Sequence, residues 1–391
     1  MEKLFYAPAR KLHFLIIMIL SVLADSCAIQ AQEFRYKTVP PRYLPSASAL
    51  SSYRQDADAL KQTAYDLTQS LPQGYVTDGS ADYTTYIQTG INNKKIVLMP
   101  NFPILINDRG LNLGDNSTVI FQPNSKLIFK ASALPSYQIL RIFNVQNVTV
   151  YFPVIQGDRK VHIGNKGEWG MGISIAGATN VKIVNPKVYD CWGDGIYIGK
   201  QKTPSKNIQI LYADLDNCRR NGISVVSVDS LSIVHPLASN INGTDPQAGI
   251  DIEPNNNGDV INNISIDSPV TFNSRIGISI SIWAFRGQLA HDANITIRDH
   301  VDDGSDNSFF YYGFRDDNPA NGLKGQIKII NPKWKNSRVP YRHSGFYNNG
   351  PKFDYKNVSI TDNSSSSETK RTDIKDKLKN DLRNEGNVVF H

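Results

Sequence analysis

Two acidic residues, Asp251 and Glu253, are the strongest chemical feature of this 391-residue chain. They occur in the segment Gly249-Ile-Asp-Ile-Glu-Pro, where isoleucine alternates with the acids. Such alternation is typical of a β-strand, so both acids should lie on one face with Cα atoms about 6.6 Å apart. A carboxyl pair of this kind suits hydrolysis of a glycosidic bond, with one group as acid and the other as base or nucleophile. The spacing fits both the retaining and the inverting geometry.

Two other interpretations of this pair stay open from the sequence. An acidic strand face can simply be solvated, and carboxylate oxygens are also ligands that Ca²⁺ prefers. We predict a site without a cofactor, with Ca²⁺ as the alternative.

The pair belongs to a repeated pattern. Gly-Ile pairs begin at Gly172, Gly195, Gly222, Gly249 and Gly277, with spacings of 23, 27, 27 and 28 residues. The first outward position after each pair holds Ser174, Tyr197, Ser224, Asp251 and Ser279. The second holds Ala176, Gly199, Val226, Glu253 and Ser281. A period in the twenties with β-prone segments predicts a solenoid in which each repeat is one turn, and Asp251 and Glu253 interrupt mostly small or apolar columns.

A second repeat supplies another strand to each turn. It consists of short alternating segments, most of them led by asparagine, that begin at Asn147, Asn180, Asn207, Ser230, Asn263, Asn294, Gln326 and Asn357. Asparagine tolerates the left-handed backbone conformation that a turn before a strand requires. The two repeats together predict an all-β fold built from stacked parallel strands.

Arginines occur in the turns around the acidic pair. Arg220 and Arg275 occupy the position of Gln247 in the two neighbouring turns, and Arg219 precedes Arg220. We expect them to bind a carboxylate or sulfate of the substrate, or to increase the acidity of Asp251. Ordinary surface arginine is the competing interpretation.

A polar insertion from Gly157 to Gly167 precedes the first Gly-Ile turn and is expected to form one wall of a binding groove. The candidate substrate-binding residues here are Asp158, Arg159, His162, Glu168 and Trp169. His162 could act as a base. Trp169 and Trp283 could stack on sugar rings, or could equally contribute packing.

Composition restricts the class of protein. The net charge of +6 is scattered, without a long basic run or interleaved aromatic residues, which argues against nucleic-acid binding. The sequence has no phosphate-binding loop, zinc-ligand spacing or nucleophile elbow. No segment after the leader is apolar enough to cross a membrane. We predict a monomer that acts on a polysaccharide, possibly an acidic one.

The N-terminus has the pattern of an export signal. Basic residues precede a short apolar run, and cleavage after Ala31 would place the protein outside the cell or in the periplasm. Lipidation at Cys27 is the less favoured alternative. Cys191 and Cys218 precede their Gly-Ile glycines by four residues, so they should stack on adjacent turns as a disulfide or as two buried thiols.

The predicted boundaries are a signal over 1–31, a helical or irregular segment over 32–73, the solenoid over 74–361, and a linker with a charged tail over 362–391. Within the second segment, residues 51–71 have helical spacing. Near the start of the solenoid, Asp82 should cap a helix whose apolar face is Tyr86, Ile87 and Ile91.

The Asp78-Gly79 turn before this helix and the two strand repeats resemble the pectate-lyase-like right-handed parallel β-helix superfamily, over roughly residues 74–361. Gly193-Asp-Gly-Ile resembles the Gly-Asp-Asp motif of polygalacturonases, although only one of its two acids is present. The resemblance implies that Asp194 is catalytic; an ordinary turn aspartate is the alternative. The resemblance also implies activity on polysaccharides, and together with the carboxyl pair it leads us to expect a glycoside hydrolase. A lyase acting on a uronic-acid polymer and a non-catalytic glycan-binding surface protein are the other candidates.

Overall fold

Short parallel strands stacked in three columns form the body of the protein. The computed structural model describes residues 34–314, 318, 320–345, 348–361, 376, 378–380, 382 and 386–391. The chain divides into a unit of residues 1–36 and a unit of residues 37–391, and the strands belong to the second. The proposed signal peptide and Cys27 lie outside the described residues, as does most of the proposed linker.

Each column is a hydrogen-bonded sheet whose neighbouring strands come from successive turns. Among the described residues, the first sheet contains β1 (Tyr65–Asp66), β2 (Ile96–Leu98), β5 (Thr118–Ile120), β8 (Gln146–Tyr151), β11 (Thr179–Val184), β14 (Ser205–Leu211), β17 (Val228–Val234), β20 (Ile261–Asp267), β23 (Ala293–Arg298), β26 (Gly325–Ile330), β29 (Lys352–Lys356) and β31 (Val388–Phe390). The second contains β3 (Pro103–Ile106), β6 (Lys126–Phe129), β9 (Val154–Gln156), β12 (Lys187–Tyr189), β15 (Asp214–Asp216), β18 (Leu237–Ser239), β21 (Val270–Phe272), β24 (Val301–Asp303), β27 (Lys333–Lys335) and β30 (Ser359–Thr361).

The third sheet carries the Gly-Ile repeat and is called the site sheet below. In the described part of the chain it contains β4 (Leu111–Asn112), β7 (Ser136–Phe143), β10 (Trp169–Ala176), β13 (Ile196–Gly199), β16 (Ile223–Val225), β19 (Ala248–Ile252), β22 (Ile276–Ser281), β25 (Asn307–Tyr312) and β28 (Val339–Ser344). All pairings between these strands are parallel, which confirms the predicted all-β right-handed parallel β-helix.

The two sequence repeats explain this architecture. The isoleucines that follow the column glycines pair in the predicted register and are buried, so they form a ladder inside the solenoid. The turn asparagines Asn147, Asn180 and Asn207 adopt φ between 54 and 58°. Their side-chain amides bond one another from turn to turn at 2.8–3.0 Å. Core and turns therefore repeat together.

The column glycines are needed because the chain approaches itself closely at these positions. A Cβ atom added to Gly222 would lie 2.4 Å from the carbonyl oxygen of Gly249 in the next turn. The same contact would be 2.7 Å between Gly172 and Gly195, and 2.8 Å between Gly195 and Gly222. Any side chain at these positions would push neighbouring turns apart.

The segment before the solenoid contains more separate elements than the sequence predicted. Helix α1 (Ser51–Lys61) ends ten residues before Leu71, because the chain turns into β1 and then a short 3-10 helix, Leu67–Ser70. Helix α2 (Thr84–Asn93) begins where expected, and the Thr84 N–H donates to Asp82 Oδ1 at 3.0 Å. Ile87 and Ile91 are buried as predicted, but Tyr86 is exposed, so its assignment to the apolar face is wrong.

An outer segment, residues 37–61, runs along the outside of the solenoid. At one end Lys37 and Asn240 exchange two hydrogen bonds of 3.0 Å, and Tyr43 Oη donates to Asp303 at 2.6 Å. At the other end Ala57 of α1 is buried against Tyr151, among other residues of the first sheet. The segment therefore contacts both early and late turns.

The strands extend beyond the predicted limits of the solenoid. β1 pairs with β2 before residue 74, and β31 pairs with β29 after residue 361. Leu378 and Leu382 of the tail are buried in the main core. Described residues on both sides of the predicted solenoid therefore contribute to the stack. No helix in the described residues is long and apolar enough to span a membrane.

Candidate functional site

Three carboxyl groups meet around one arginine on the site sheet. Arg220 lies in the turn before β16, and its Nη1 lies 3.3 Å from both oxygens of Asp194. Its Nη2 lies 3.3 Å from Oε2 of Glu253 in the next turn. Asp251 lies on β19 and pairs in register with Ser224, whereas Glu253 directly follows the last residue of β19. The sequence-predicted residues Asp194, Arg220, Asp251 and Glu253 are thus brought together.

The four side chains differ in access to solvent. Asp194 and Asp251 are buried, with 0% and 1% of their surface exposed. The side chain of Glu253 is 31% exposed and that of Arg220 is 14% exposed. The expectation that Asp251 lies on an exposed face is therefore wrong. The matching residues Ser224 and Ser279 of the neighbouring strands are also buried, with 2% and 1% exposed, so the whole column is covered and not Asp251 alone.

Asn221 organises the buried part of the site. Its Oδ1 accepts a hydrogen bond from the Ala248 N–H at 2.9 Å, which fixes the orientation of the amide. Its Nδ2 therefore donates to Ser224 Oγ at 2.9 Å and to Asp251 Oδ2 at 3.3 Å. Its backbone N–H donates to Asp194 Oδ1 at 3.1 Å. The side chain of Asn221 thus joins β16 to β19 and contacts Asp251, while its backbone N–H contacts Asp194.

The environment favours a protonated Asp251. Burial and the neighbouring Glu253 raise the pKa of Asp251 well above its ordinary value, although Arg220 opposes the shift. Asp251 Oδ2 accepts a hydrogen bond from the Asn221 amide. Burial also raises the pKa of Asp194, against the opposing effects of Arg220 and Ser224. The charges of Asp194, Asp251 and Glu253 raise the pKa of Arg220, outweighing the effect of its burial.

The insertion before β10 is anchored by its own polar residues. Asp158 is fully buried and accepts hydrogen bonds from Tyr137 Oη, the Ser132 N–H and the His162 ring. His162 has 1% of its side chain exposed and stacks on Trp192 at 3.9 Å. These contacts explain the position of the loop. They place Asp158 and His162 beneath it instead of beside the Asp251 carboxyl group.

The remaining predicted arginines are also held by the protein. Arg159 donates to the Asn217 carbonyl oxygen and to Asn242 Oδ1, both at 2.9 Å. Arg219 lies 3.9 Å above the ring of Trp192 and donates to the Gly167 carbonyl oxygen at 2.8 Å. Arg275 pairs with Asp306 at 2.5 Å rather than with Asp251. Only Arg220, of these arginines, contacts the carboxyl cluster in the described structure.

Exposed aromatic side chains occur at both ends of this region. Trp169 begins β10 and is 48% exposed, whereas Trp283 follows β22 and is 42% exposed. The Trp283 ring is stacked against the Tyr312 ring, with 6.0 Å between the two ring centroids. Glu168, next to Trp169, is half-buried, and its charge acts on Arg219 and Arg220. These rings stay available for stacking on a ligand.

Another buried acid, Asp302, lies in the interior of the solenoid beside the column glycine Gly277. Asp302, on β24, accepts hydrogen bonds from Thr271, Ser305, Ser308 and Ser337, at 2.5–2.9 Å. Burial raises its pKa to about 6. Thr271 also contacts buried His300, whose pKa is lowered by burial to about 3. This cluster is enclosed by the solenoid and is not part of the Arg220 site.

Two further sequence predictions concern cysteine and metal chemistry. Cys191 and Cys218 are free, buried thiols in the structure, which agrees with stacked thiols rather than a disulfide. Within the described ranges, no three His, Cys, Asp or Glu side chains are grouped so as to hold a metal ion. The prediction of a site without a cofactor stays a prediction.

Asn221 is the functional candidate that sequence reasoning missed. It directly precedes the glycine of its Gly-Ile pair, as Asp194 does one turn earlier. Ala248 occupies the matching position in the next turn. The sequence signal that could have identified Asn221 is that polar residues, Asp194 and Asn221, directly precede two consecutive column glycines.

Comparison with known proteins places the fold. A galactohydrolase whose substrate name specifies galactose 4-sulfate and 3,6-anhydro-galactose 2-sulfate superposes with a TM-score of 0.56 at 10% identity, over 78% of this chain and 91% of that one. The chain has the fold of the pectate-lyase-like right-handed parallel β-helix proteins. The pre-mature gene product 12 of bacteriophage phi29 superposes with a TM-score of 0.52 at 16% identity, over 80% of this chain and 47% of that one.

Sequence similarity reaches part of the chain. The uncharacterized protein YclG of Bacillus subtilis (strain 168) is 30% identical over 195 residues, which are 46% of this chain and 33% of YclG. The matched region thus spans a third of that curated relative. No family model matches the chain.

Proposed function

We propose that this protein is an exported glycoside hydrolase that cleaves a polysaccharide bound over the site sheet. The convergence of Asp194, Asp251 and Glu253 on Arg220 is the observation that carries the proposal. The similarity in fold to a galactohydrolase supports a polysaccharide substrate. Export is proposed from the sequence of residues 1–31 alone.

Asp251 and Glu253 have complementary properties for this chemistry. Asp251 favours its protonated form, and Glu253 is the accessible carboxyl group. One group of the pair would donate a proton to the leaving glycosidic oxygen, and the other would accept a proton from the attacking water. Because Asp251 is buried, we propose that substrate binding displaces Glu253 or Arg220 enough to expose the Asp251 carboxyl group.

The contacts favour hydrolysis over a lyase reaction. A lyase needs a cation to neutralise the uronate carboxyl group and a base to remove a proton from the sugar. Arg219, Arg220 and Arg275 are each engaged by groups of the protein, and His162 is enclosed by Asp158 and Trp192. A lyase would have to release both an arginine and His162 from these contacts, whereas the hydrolase proposal requires only that Glu253 or Arg220 be displaced.

The test is to screen the purified full chain on neutral and acidic polysaccharides with two assays. New reducing ends without ultraviolet-absorbing products indicate hydrolysis, whereas absorbing unsaturated products indicate a lyase. Asp251→Asn and Glu253→Gln should each lower kcat by at least about a hundredfold, because acid–base groups typically contribute that much. Asp229→Asn, on the first sheet, is the matched control and should keep full activity.

The result also separates an enzyme from a non-catalytic glycan-binding protein. Full activity in both carboxyl variants would refute the proposed roles of Asp251 and Glu253. Binding of a glycan by the parent protein without any turnover would favour the non-catalytic alternative.

A further inference from the structure

The charges of the site are unbalanced. Three carboxyl groups surround the single guanidinium of Arg220, which is engaged by Asp194 on one side and Glu253 on the other. Even with a proton on Asp251, two carboxylates share one cation. A ligand above Glu253 therefore meets a surface with excess negative charge.

The cations of the neighbouring turns are held by other groups of the protein. Lys200, which follows β13, pairs with Asp259 at 2.8 Å. Arg275 pairs with Asp306, and Asp306 also lies 3.8 Å from Arg338. Arg219 is stacked on Trp192. Each of these cations already has a partner in the protein, and recruiting one for a substrate would break that contact.

The rings near the site suit an uncharged sugar. Trp169 and Trp283 are both exposed, and their turns lie four strand positions apart, which is roughly 19 Å along the solenoid axis. Trp169 begins β10 whereas Trp283 follows the end of β22, so the two rings also lie at opposite edges of the site sheet. Stacking on an aromatic face uses the apolar side of a sugar ring and needs no charge on the ligand. Aromatic stacking can therefore bind a glycan that the carboxyl cluster does not attract electrostatically.

We propose that the sugar unit held over Glu253 is uncharged, so that the substrate is a neutral polysaccharide or a neutral stretch of a mixed one. This inference rests on the proposed hydrolase function and specifies its substrate class. A carboxylate or sulfate at this position would meet Glu253 and Asp194 with no unpaired cation supplied by Arg220. Like charges repel each other, most strongly where water is partly excluded, so an anionic ligand should bind less tightly here than a neutral one.

The experiment compares matched polymers that differ only in charge. The full chain is assayed on several pairs, such as a uronic-acid polymer with its carboxyl-reduced form and a sulfated galactan with its desulfated form. We expect kcat/KM to be at least about tenfold higher for the neutral member of the cleaved pair. Raising the salt concentration should narrow this difference, because salt screens the repulsion of the charged member.

Binding of the charged and neutral polymers to variants tests whether Glu253 supplies the repulsive charge. Glu253→Gln should bind the charged polymer several-fold more tightly than the parent does, with little change for the neutral one. Asp58→Asn, on exposed α1, should alter neither. Equal or better cleavage of the charged member would overturn this inference and leave the hydrolase proposal standing. Failure to bind or cleave either member of every pair would overturn both.

Discussion

Replacement of Asn221 by alanine tests the structural logic of the site without requiring a known substrate. The asparagine side chain makes three hydrogen bonds, to the Ala248 N–H, Ser224 Oγ and Asp251 Oδ2. The alanine would leave the buried Ala248 N–H without its acceptor and both side-chain acceptors without their amide donor. The backbone bond from residue 221 to Asp194 would remain, because it does not involve the side chain.

The magnitude follows from these three contacts. An unsatisfied buried backbone donor costs about 1–3 kcal/mol, and each lost side-chain bond costs about 0.5–1.5 kcal/mol. The expected decrease in the free energy of unfolding is therefore about 2–6 kcal/mol, with a value near 4 most consistent with complete burial. Asn262→Ala is the matched control, because Asn262 is half-buried and bonds Asp229 at 3.2 Å. It should cost about 1 kcal/mol.

Urea unfolding followed by circular dichroism measures both variants against the parent protein. The midpoint should fall much further for Asn221→Ala than for Asn262→Ala, with a similar dependence on urea. A decrease below about 1 kcal/mol for Asn221→Ala, or one equal to the control, would refute the assignment of Asn221 as the centre of the buried network.

Three further predictions concern the solenoid. Burial raises the pKa of Asp302 to about 6 from 3.8, so its carboxyl group stabilises the fold least above pH 6. Relative to the parent, the free energy of unfolding of Asp302→Asn should therefore rise by about 2 kcal/mol between pH 4 and pH 7, measured by urea unfolding at each pH; a constant difference would contradict this. Gly222→Ala should lower the free energy of unfolding by at least about 2 kcal/mol, because its Cβ would lie 2.4 Å from a backbone oxygen. Gly114→Ala has open space and should be nearly neutral; equal losses would exclude the close approach as the cause. Leu378→Ala should cost about 2–5 kcal/mol because Leu378 is fully buried, whereas exposed Lys379→Ala should cost little, and equal thermal stability would show that the tail does not support the fold.

The stacking of the turns could be predicted because it depends on local repeats. Each Gly-Ile pair marks the equivalent position in its turn. The structure pairs Ser224 with Asp251, as alignment of the Gly-Ile pairs predicted. The end strands were missed because β1 and β31 are only two and three residues long and have no measurable period.

The environment of the site could be predicted only in part. The repeat placed Asp251 and Glu253 on one strand, but β19 ends at Ile252. The alternation within one strand also did not show that the outward column is buried in the adjacent turns, at Ser224 and Ser279 as well as at Asp251. The role of His162 depended on its stacking against Trp192, which is 30 positions later in the sequence. Contacts between a loop and a distant turn have no periodic signature, so sequence spacing could not supply them.

The outer segment, residues 37–61, imposes an order of events on a newly made chain. Its contacts from Lys37 to Asn240 and from Tyr43 to Asp303 span 203 and 260 positions of sequence. At a synthesis rate of about 5–20 residues per second, Tyr43 would wait roughly 13–50 s before its partner exists. The segment translated before the turns can therefore dock fully only after most of them have formed, so the earliest described part of the chain completes its contacts among the last.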